Sequence, residues 1–344
     1  MLLIGLRIYG IVEYVNEIKI QSLIRKERPS LKYKDEKILI GDIKQNILVL
    51  NPNSGKPVLL IVHGGPGSPD RPLVCEYNKG LTDVYTVVCW DQRCSGLSYT
   101  RESKQKMLTT QLMLSDLKEV VEYLIVRFNQ KKIYLAGHSW GAYLGLWFTS
   151  KYPQYVHYYI GTGQGISSRL DEIEKYNFVL KEATVRKETK SVATLNSFGV
   201  PINGVYNNNN NEAQSFVGTL IHRYGGYIHA SNEFSMKKYL MLYPKFYGIN
   251  TFKVIGGINY STKHLTPAMK QNDIIPAISA VDVPVLLIFG ENDYICPVNT
   301  AKKWFDMLSA PKKDMIIIKN AAHMVNFEQP SKWTDFVIDC VSTN

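Results

Sequence analysis

One serine of the chain lies in a short pattern that suits nucleophilic chemistry, GHSWG at residues 137–141. The apolar run IYLAGH leads into it and the helix-like stretch AYLGLWFTSKY follows it, so Ser139 is expected on a sharp turn from a strand to a helix. Backbone atoms crowd such a turn, and glycines two positions to either side avoid the clash that larger residues would make. The new helix also points its first N–H groups toward negative charge. The pattern predicts Ser139 as the nucleophile of an acyl-transfer reaction.

A glycine-rich segment, HGGPG at residues 63–67, could stabilise the negative charge that develops on the attacked carbonyl group. Acyl transfer needs N–H donors aimed at that oxyanion, and backbone N–H groups of a glycine loop can supply one. Gly64 and Gly65 are both candidates, and the second donor is expected from the N–H of Trp140. A cis Gly65–Pro66 bond is predicted, because it would turn the chain sharply in a short space.

A serine hydroxyl needs a base, and His323 is the expected one. It lies between an apolar run at 314–320 and the last helical stretch, at the carboxyl end of a predicted strand, where open sheets of this kind place their sites. His138 is expected to point away from Ser139, and His63 to brace its own loop. The four remaining histidines fall at the start of a strand or in the middle of the chain: His157, His222, His229 and His264.

The acid that orients the histidine is expected between the serine and the histidine in the chain. Asp293, in the segment GENDY, directly follows the apolar run VPVLLIFG. Asp282 stands at the wrong end of that run, and Glu291 is a weaker neighbouring alternative. A carboxylate at Asp293 would fix the tautomer of His323 and stabilise its protonated form during attack.

The elements that must position these residues alternate between strands and helices. Short apolar runs predict strands buried on both faces at 57–63, 84–90, 133–138, 156–161, 283–290 and 314–320. One buried helical stripe is formed by Leu114, Leu117, Val121, Leu124 and Phe128. A last helix, opened by Pro330, carries a stripe formed by Trp333, Phe336, Val337, Cys340 and Val341. The alternation predicts an α/β protein with a mostly parallel, doubly wound sheet.

The alternation stops in the middle of the chain, where more than a hundred residues separate two strands that about thirty could connect. This stretch is polar, aromatic-rich and helix-like, which predicts an inserted helical cap over the site. The expected organisation is an N-terminal amphipathic segment (1–36), a first part of the core (37–163), the cap (164–275) and a second part of the core (276–344).

Composition excludes several other classes of protein. The net charge of +10 comes from scattered basic residues without the aromatic interleaving of a nucleic-acid groove, so no nucleic-acid partner is expected. Five cysteines without a CxxC pair argue against a disulfide framework and for a reducing compartment, the cytoplasm. No metal or organic cofactor is implied, because no ligand cluster is present.

The N-terminal segment lacks a basic leader and a small-residue cleavage site, so it is not expected to be a secretory signal. It is also too polar to span a bilayer. Packing against its own domain is the main expectation, and peripheral contact with a membrane is the alternative.

Taken together, HGGPG, DQRCSGLS (91–98), GHSWG, GENDY and the late AAH resemble the proline iminopeptidase-like branch of the α/β hydrolases. The resemblance covers roughly residues 37–160 and 280–344. It implies an α/β-hydrolase fold, with Ser139, Asp293 and His323 as a catalytic triad and the HGGPG loop and Trp140 as the oxyanion hole. It also implies that Asp91 and Arg93 are structural braces near the site. Cys94 departs from the pattern, because the family usually has glycine there.

The resemblance implies an exopeptidase that removes an N-terminal proline or another small apolar residue, so a small-molecule or short-peptide substrate is expected. Such an enzyme needs carboxylates in the cap to hold the free ammonium group. The candidates there are Glu172, Glu174, Glu182, Glu212 and Glu233. The cap has more basic than acidic residues, which disfavours a cationic anchor. Two alternatives follow: an esterase or lactonase acting on a small apolar ester, and a non-catalytic ligand receptor on the same fold.

Overall fold

A computed structural model describes residues 20–26, 28–207, 210–229 and 234–342 of the chain. Within these ranges, eight strands form one sheet in the order β1-β2-β4-β3-β5-β6-β7-β8. The strands are β1 (Tyr33–Ile40), β2 (Ile43–Leu50), β3 (Val58–Val62), β4 (Thr86–Asp91), β5 (Ile133–His138), β6 (Val156–Thr162), β7 (Val285–Gly290) and β8 (Lys313–Ile318).

The part of the sheet from β4 to β8 is parallel, and β1 and β2 add an antiparallel edge. Successive residues of β3 point into two different hydrophobic cores. Leu60 and Val62 belong to one core, and Leu59 and Ile61 belong to the other. Because both faces of the sheet are covered, its central strands can be apolar throughout. The predicted doubly wound, mostly parallel sheet is confirmed.

The antiparallel edge is the part of the sheet that the sequence does not predict. The expected boundary between the N-terminal segment and the core, after residue 36, falls inside β1, which begins at Tyr33. This edge strand contains four consecutive charged residues, 34–37, so its sequence does not show the alternation of apolar and polar residues that is typical of a strand. Only Ile38 and Ile40 of the strand are buried. In the described part of the N-terminal segment, residues 20–25 are helical and Ile24 is buried in a core of the domain. Residues 1–19 and 27 of this segment lie outside the described residues.

Besides the helical residues 20–25, the helices of the described ranges are α1 (Arg71–Tyr77), α2 (Thr110–Arg127), α3 (Trp140–Lys151), α4 (Ser168–Val185), α5 (Thr189–Phe198), α6 (Asn210–Arg223), α7 (Met236–Tyr247), α8 (Thr251–Gln271), α9 (Ile274–Ala277), α10 (Val298–Met307), α11 (Val325–Glu328) and α12 (Pro330–Ser342). Leu114, Leu117, Val121 and Leu124 are buried on α2, as their helical spacing predicts. None of the described helices is both long enough and apolar enough to cross a membrane.

Helices α4 to α8 occupy the long interval between β6 and β7, where the sequence predicts the cap, and they pack in two groups. Helices α4, α5 and α6 share a small core of their own, which includes Tyr176, Leu195 and Val217. Helices α7 and α8 contribute Tyr243 and Val254 to a core of the sheet instead. The second group therefore forms part of the walls above the carboxyl edge of the sheet.

Candidate functional site

Ser139 stands on the turn between β5 and α3 with φ 55° and ψ −117°, a backbone conformation that residues with a side chain rarely adopt. The turn requires glycine on both sides. A Cβ atom at Gly141 would lie 1.9 Å from the carbonyl oxygen of Val62, and one at Gly137 would lie 2.4 Å from the oxygen of Gly141. The crowding expected from the GHSWG pattern is therefore present, and the turn places the serine at the carboxyl end of β5.

His323 and Asp293 form a buried pair at the ends of β8 and β7. The distance from His323 Nδ1 to Asp293 Oδ2 is 2.9 Å, and His323 is 2% exposed. The other carboxylate oxygen, Oδ1, accepts from the backbone N–H groups of Ile295 (3.0 Å) and Cys296 (2.9 Å). An ionised carboxylate only accepts, so Nδ1 carries the proton and Nε2 is left as the basic nitrogen. Glu291, the alternative acid, is exposed to solvent.

A glycine that the sequence analysis did not single out makes room for this pair. Gly163 follows β6 with φ 54°, and a Cβ atom there would lie 2.9 Å from His323 Cε1 and 3.0 Å from Nδ1. Its only sequence signal is its place directly after a strand at the carboxyl edge of the sheet, the edge where open α/β sheets bind ligands.

Two side chains hold the loop that carries His323. His138 Nε2 lies 2.9 Å from the backbone oxygen of His323, and burial lowers the pKa of His138 to about 3, so this ring is neutral and donates through Nε2. Glu328 Oε1 accepts from the N–H of Ala322 at 2.9 Å. Glu328 Oε2 accepts from the N–H of His229 at 2.6 Å, which joins this loop to the segment that follows α6. His138 therefore supports the loop of His323, and the centroids of the two imidazole rings lie 4.9 Å apart.

The HGGPG loop passes close to Ser139. The Gly65–Pro66 bond is cis, as predicted. A Cβ atom at Gly64 would lie 3.1 Å from Ser139 Cβ, so this glycine allows the close approach. His63 Nδ1 donates to the oxygen of Gly64 at 2.9 Å, and His63 Nε2 lies 3.0 Å from the hydroxyl of Ser95. Burial lowers the pKa of His63 to about 4, and the neutral ring braces its own loop.

Gln92 connects this loop to the start of α3. Its Nε2 donates to the oxygen of His63 at 2.8 Å, and its Oε1 accepts from the indole Nε1 of Trp140 at 2.9 Å. A single buried amide thus sets the distance between the glycine loop and the residue after the nucleophile. In the sequence, Gln92 is marked only by its place in the segment DQRCSGLS.

The neighbours of Gln92 act as braces, as the resemblance implies. Asp91 Oδ2 accepts from the N–H of Leu97 at 2.9 Å, and Arg93 Nε donates to Asp116 Oδ2 at 2.7 Å. Cys94 keeps a left-handed turn, with φ 61°, at the position where glycine is usual in the family. The turn therefore keeps its left-handed conformation although cysteine replaces the glycine that is usual at this position.

Ser139 and His323 line one small cavity of about 110 Å3 at the carboxyl edge of the sheet. Its other walls come from Gly64, Gly65, Ser68, Asp70, Leu73, His138, Tyr227, Tyr239, Tyr243, Ile295, Met324 and Phe327. Ser139 itself is 9% exposed. A larger groove of about 730 Å3, lined by residues such as Ile20 and Tyr33, includes none of the predicted site residues.

Asp70 is a residue of this cavity that the sequence analysis missed. It is 4% exposed, and within the described part of the chain neither carboxylate oxygen has a hydrogen-bond partner in another residue. It occupies the N-cap position of α1, but its side chain makes no capping bond. Burial raises the pKa of Asp70 to about 7. An Asp-Arg-Pro sequence indicates a helix start, so the available sequence signal points to a cap rather than to a site.

The predicted cap carboxylates do not reach this cavity where they are described. Glu172 pairs with Lys175 at 3.1 Å, Glu182 pairs with Arg186 at 3.1 Å, and Glu174 accepts from Asn299 at 3.2 Å. None of these three glutamates lines the cavity, and Glu212, in the first turn of α6, does not line it either. Glu233 lies outside the described residues. None of the four described candidates for the acidic group therefore lines the cavity that contains Ser139 and His323.

Among the described residues, no group of three or more His, Cys, Asp or Glu side chains is arranged to hold a metal ion. The five cysteines are all free and buried. The chemistry that this geometry offers is that of a serine, a histidine, a carboxylate and backbone N–H groups.

Residues 57–189 match the family model described as the alpha/beta hydrolase fold. This match agrees with the eight-stranded sheet and with the serine turn between β5 and α3. Fold and site together define an α/β hydrolase, a class of enzymes.

Two curated relatives and one solved structure are similar to the chain. The "Probable aminopeptidase YbaC" of Bacillus subtilis (strain 168) is 30% identical over 304 residues, which cover 86% of this chain and 92% of the relative. The proline iminopeptidase of Heyndrickxia coagulans is 23% identical over 297 residues, which cover 85% of this chain and 92% of the relative. The crystal structure of the proline iminopeptidase of Mycobacterium smegmatis superposes with a TM-score of 0.63 at 17% identity, covering 90% of this chain and 100% of that chain. The chain belongs to the proline iminopeptidase-like family of α/β hydrolases.

Proposed function

We propose that the protein is a serine aminopeptidase that releases a small N-terminal residue through an acyl-enzyme. The observation that carries this proposal is the combination of the buried His323–Asp293 pair and the strained Ser139 in one small cavity. The names of its relatives, an aminopeptidase and a proline iminopeptidase, support the choice of a peptide substrate.

In the proposed mechanism, Ser139 Oγ attacks the carbonyl carbon of the first residue while His323 Nε2 takes the hydroxyl proton. The histidine then gives this proton to the leaving amine, and the bond between the first and second residues breaks. Water, activated by the same nitrogen, hydrolyses the ester of Ser139 and restores the enzyme. Asp293 stabilises the positive charge on His323 in both halves of the reaction, because Oδ2 stays bonded to Nδ1.

The oxyanion of each tetrahedral intermediate is proposed to bind between α3 and the HGGPG loop. The N–H of Trp140 is the first of α3, a position whose N–H has no partner within the helix. Gly64 or Gly65 supplies the second donor, since both line the cavity beside Ser139. Preorganised donors of this type contribute about 10²–10³-fold to kcat.

Labelling with a fluorophosphonate tests the nucleophile and the acid together. We expect the parent protein to be labelled and Ser139→Ala to remain unlabelled. Asp293→Asn should react several orders of magnitude more slowly, because its amide favours the wrong histidine tautomer. Glu291→Gln is the matched control and should be labelled at the parent rate. A slower reaction of Glu291→Gln than of Asp293→Asn would show that Asp293 is not the acid.

Hydrolysis rates test the choice of substrate. We expect proline and alanine arylamides with a free amino group to be cleaved with a higher kcat/KM than their N-acetyl forms. If short-chain aryl esters were hydrolysed by Ser139 while no arylamide was, the protein would be an esterase and the peptidase proposal would be wrong.

We also propose that the enzyme acts in the cytoplasm, a reducing compartment in which its free cysteines would persist. Cell fractionation with a specific antibody tests this, and recovery from a secreted or envelope fraction would contradict it.

A further inference from the structure

We propose that Asp70 binds the free α-ammonium group of the substrate, from the core loop beyond the oxyanion glycines. This inference rests on the proposed aminopeptidase function and names the residue that would make the enzyme require a free N-terminus. Asp70 has no partner for its carboxylate among the described residues, lines the same cavity as Ser139 and faces aromatic walls there.

The carboxylate of Asp70 lacks the partners that a buried acid normally has. Arg71, the adjacent cation, is directed elsewhere: its Nη2 lies 2.5 Å from Asp35 Oδ1, and its Nη1 lies 3.2 Å from Asp91 Oδ2. Within the described ranges, neither oxygen of Asp70 meets a donor from another residue. Removing an unpaired carboxylate from water is costly, so a buried one that faces a cavity is suited to a cation that arrives from outside.

The size of the cavity places that cation next to the reacting bond. Asp70 and Ser139 line the same space of about 110 Å3, smaller than the roughly 150 Å3 of an engineered cavity that holds one benzene molecule. In an amino-acid residue, the amino group is attached to the carbon next to the carbonyl group. A residue whose carbonyl carbon meets Ser139 therefore has its ammonium group within this cavity, and its side chain can be no larger than the remaining space.

The walls of the cavity suit an organic cation better than a metal ion. Tyr227, Tyr239 and Tyr243 line it, and aromatic faces attract ammonium groups. Divalent metals need several oxygen ligands, whereas Asp70 is a single carboxylate. The tyrosines also fix the loop that carries Asp70, because the Tyr243 hydroxyl donates to the oxygen of Pro69 at 2.9 Å. The Tyr239 hydroxyl lies 3.1 Å from that of Ser68.

The protonation of Asp70 gives the proposal a second observable. Burial, together with the nearby Asp91, raises its pKa to about 7, against the opposing effects of its own backbone N–H and of Arg71. His138, which also lines the cavity, is neutral because burial lowers its pKa to about 3. An ammonium group bound to Asp70 favours the ionised form, so binding below pH 7 must release a proton.

Calorimetry with small amides tests the proposal without relying on catalysis. In the Ser139→Ala protein, L-prolinamide should bind at least about 30-fold more tightly than N-acetyl-L-prolinamide, since a buried charge pair of this kind is worth about 2 kcal/mol or more. Adding Asp70→Asn should remove this difference. Adding Glu172→Gln, which changes a cap carboxylate outside the cavity, should leave it unchanged. At pH 6, buffers of different ionisation enthalpy should reveal proton release that Asp70→Asn abolishes.

Four results would overturn the proposal: no binding of either amide, equal binding of both, an unchanged difference in Asp70→Asn, or its loss in Glu172→Gln instead. Selective binding that depends on Asp70, in an enzyme that cleaves esters but no arylamide, would support the ammonium site and reject the peptidase function. The two proposals therefore fail on different measurements.

Discussion

At the scale of single residues, the site combines groups whose charge is satisfied with one whose charge is not. Asp293, at the end of β7, accepts hydrogen bonds from three donors, on His323, Ile295 and Cys296. Asp70, which lines the cavity of Ser139, has no such donors among the described residues. The two aspartates are therefore proposed to serve different purposes, orientation of a base for Asp293 and recognition of a cation for Asp70.

The raised pKa of Asp70 predicts a cost in stability. Between the ordinary aspartate pKa of 3.8 and about 7, the folded protein holds a proton that the unfolded chain has released. The free energy of unfolding therefore falls as the pH rises through this window, by about 1.4 kcal/mol for each unit of pKa difference at most. Asparagine does not titrate, so Asp70→Asn should be more stable than the parent at pH 8 and nearly equal to it at pH 4.

Urea unfolding of both proteins at the two pH values measures this difference. An Asp70→Asn variant that differs from the parent by the same amount at pH 4 and pH 8 would show that the carboxylate does not titrate in this window.

At the scale of elements, the turn between β5 and α3 depends on how closely α3 approaches β3. Gly141 is the point of contact, and the oxygen of Val62 occupies the place where its Cβ would be. Gly218, in the middle of α6, is the opposite case, because a Cβ there would meet nothing within 4 Å. Replacement of these two helical glycines by alanine is therefore expected to change the stability of the fold in opposite directions.

Gly141→Ala should destabilise the fold by about 3 kcal/mol, because the alanine can be accommodated only if α3 moves away from the sheet. Gly218→Ala, the matched control, should stabilise it by about 1 kcal/mol, the difference in helix propensity between the two residues. Thermal unfolding of the two variants measures both effects. If Gly141→Ala unfolded at the parent temperature, the close approach of α3 to β3 would be wrong.

Most of the sheet and much of the site could be predicted from the sequence, for reasons that are local. The strands are continuous apolar runs, and Ser139 and its glycines form one uninterrupted pattern. Asp293 and His323 each follow such a run directly, so their meeting at one edge follows from the parallel sheet. The structure locates Asp293 and His323 in contact, while their catalytic roles remain predictions.

The parts that could not be predicted depend on contacts distant in the sequence. The strand β1 looks polar because it is an edge with one buried face. Asp70 looks like a helix cap, and only its place opposite tyrosines from α7 reveals an unpaired carboxylate in a cavity. Gly163 acquires its importance from a histidine far along the chain. The spacing of residue types along the sequence does not indicate these contacts.

At the scale of the whole molecule, Glu328 joins the loop that carries His323 to the region after α6. Its two oxygens accept one N–H from Ala322, next to His323, and one from His229, beyond α6. Because the side chain is buried, neither bond is replaced by water when it is lost. The position of His323 is therefore linked to the position of the segment that follows α6.

Glu328→Gln should uncouple the two regions. An amide keeps one acceptor and presents an NH2 group to the other N–H, so one of the two bonds must be lost. We expect kcat to fall by about tenfold, the effect of a bond to a charged group, and amide hydrogen exchange to rise at His229 or Ala322. Glu182→Gln, which removes only an ion pair with Arg186, is the control and should change neither. Unchanged exchange at both amides in Glu328→Gln would contradict the link.

The burial of Ser139 has a consequence for the proteins among which such an enzyme works. The serine is 9% exposed, in a cavity of about 110 Å3, which suits a peptide bond at the end of a chain. A loop of a folded protein continues in both directions, and both arms would have to pass through a space that holds one small residue. For the proposed aminopeptidase, this confinement of Ser139 would act as a safeguard, and the enzyme could stay active among intact proteins without an inhibitor to restrain it.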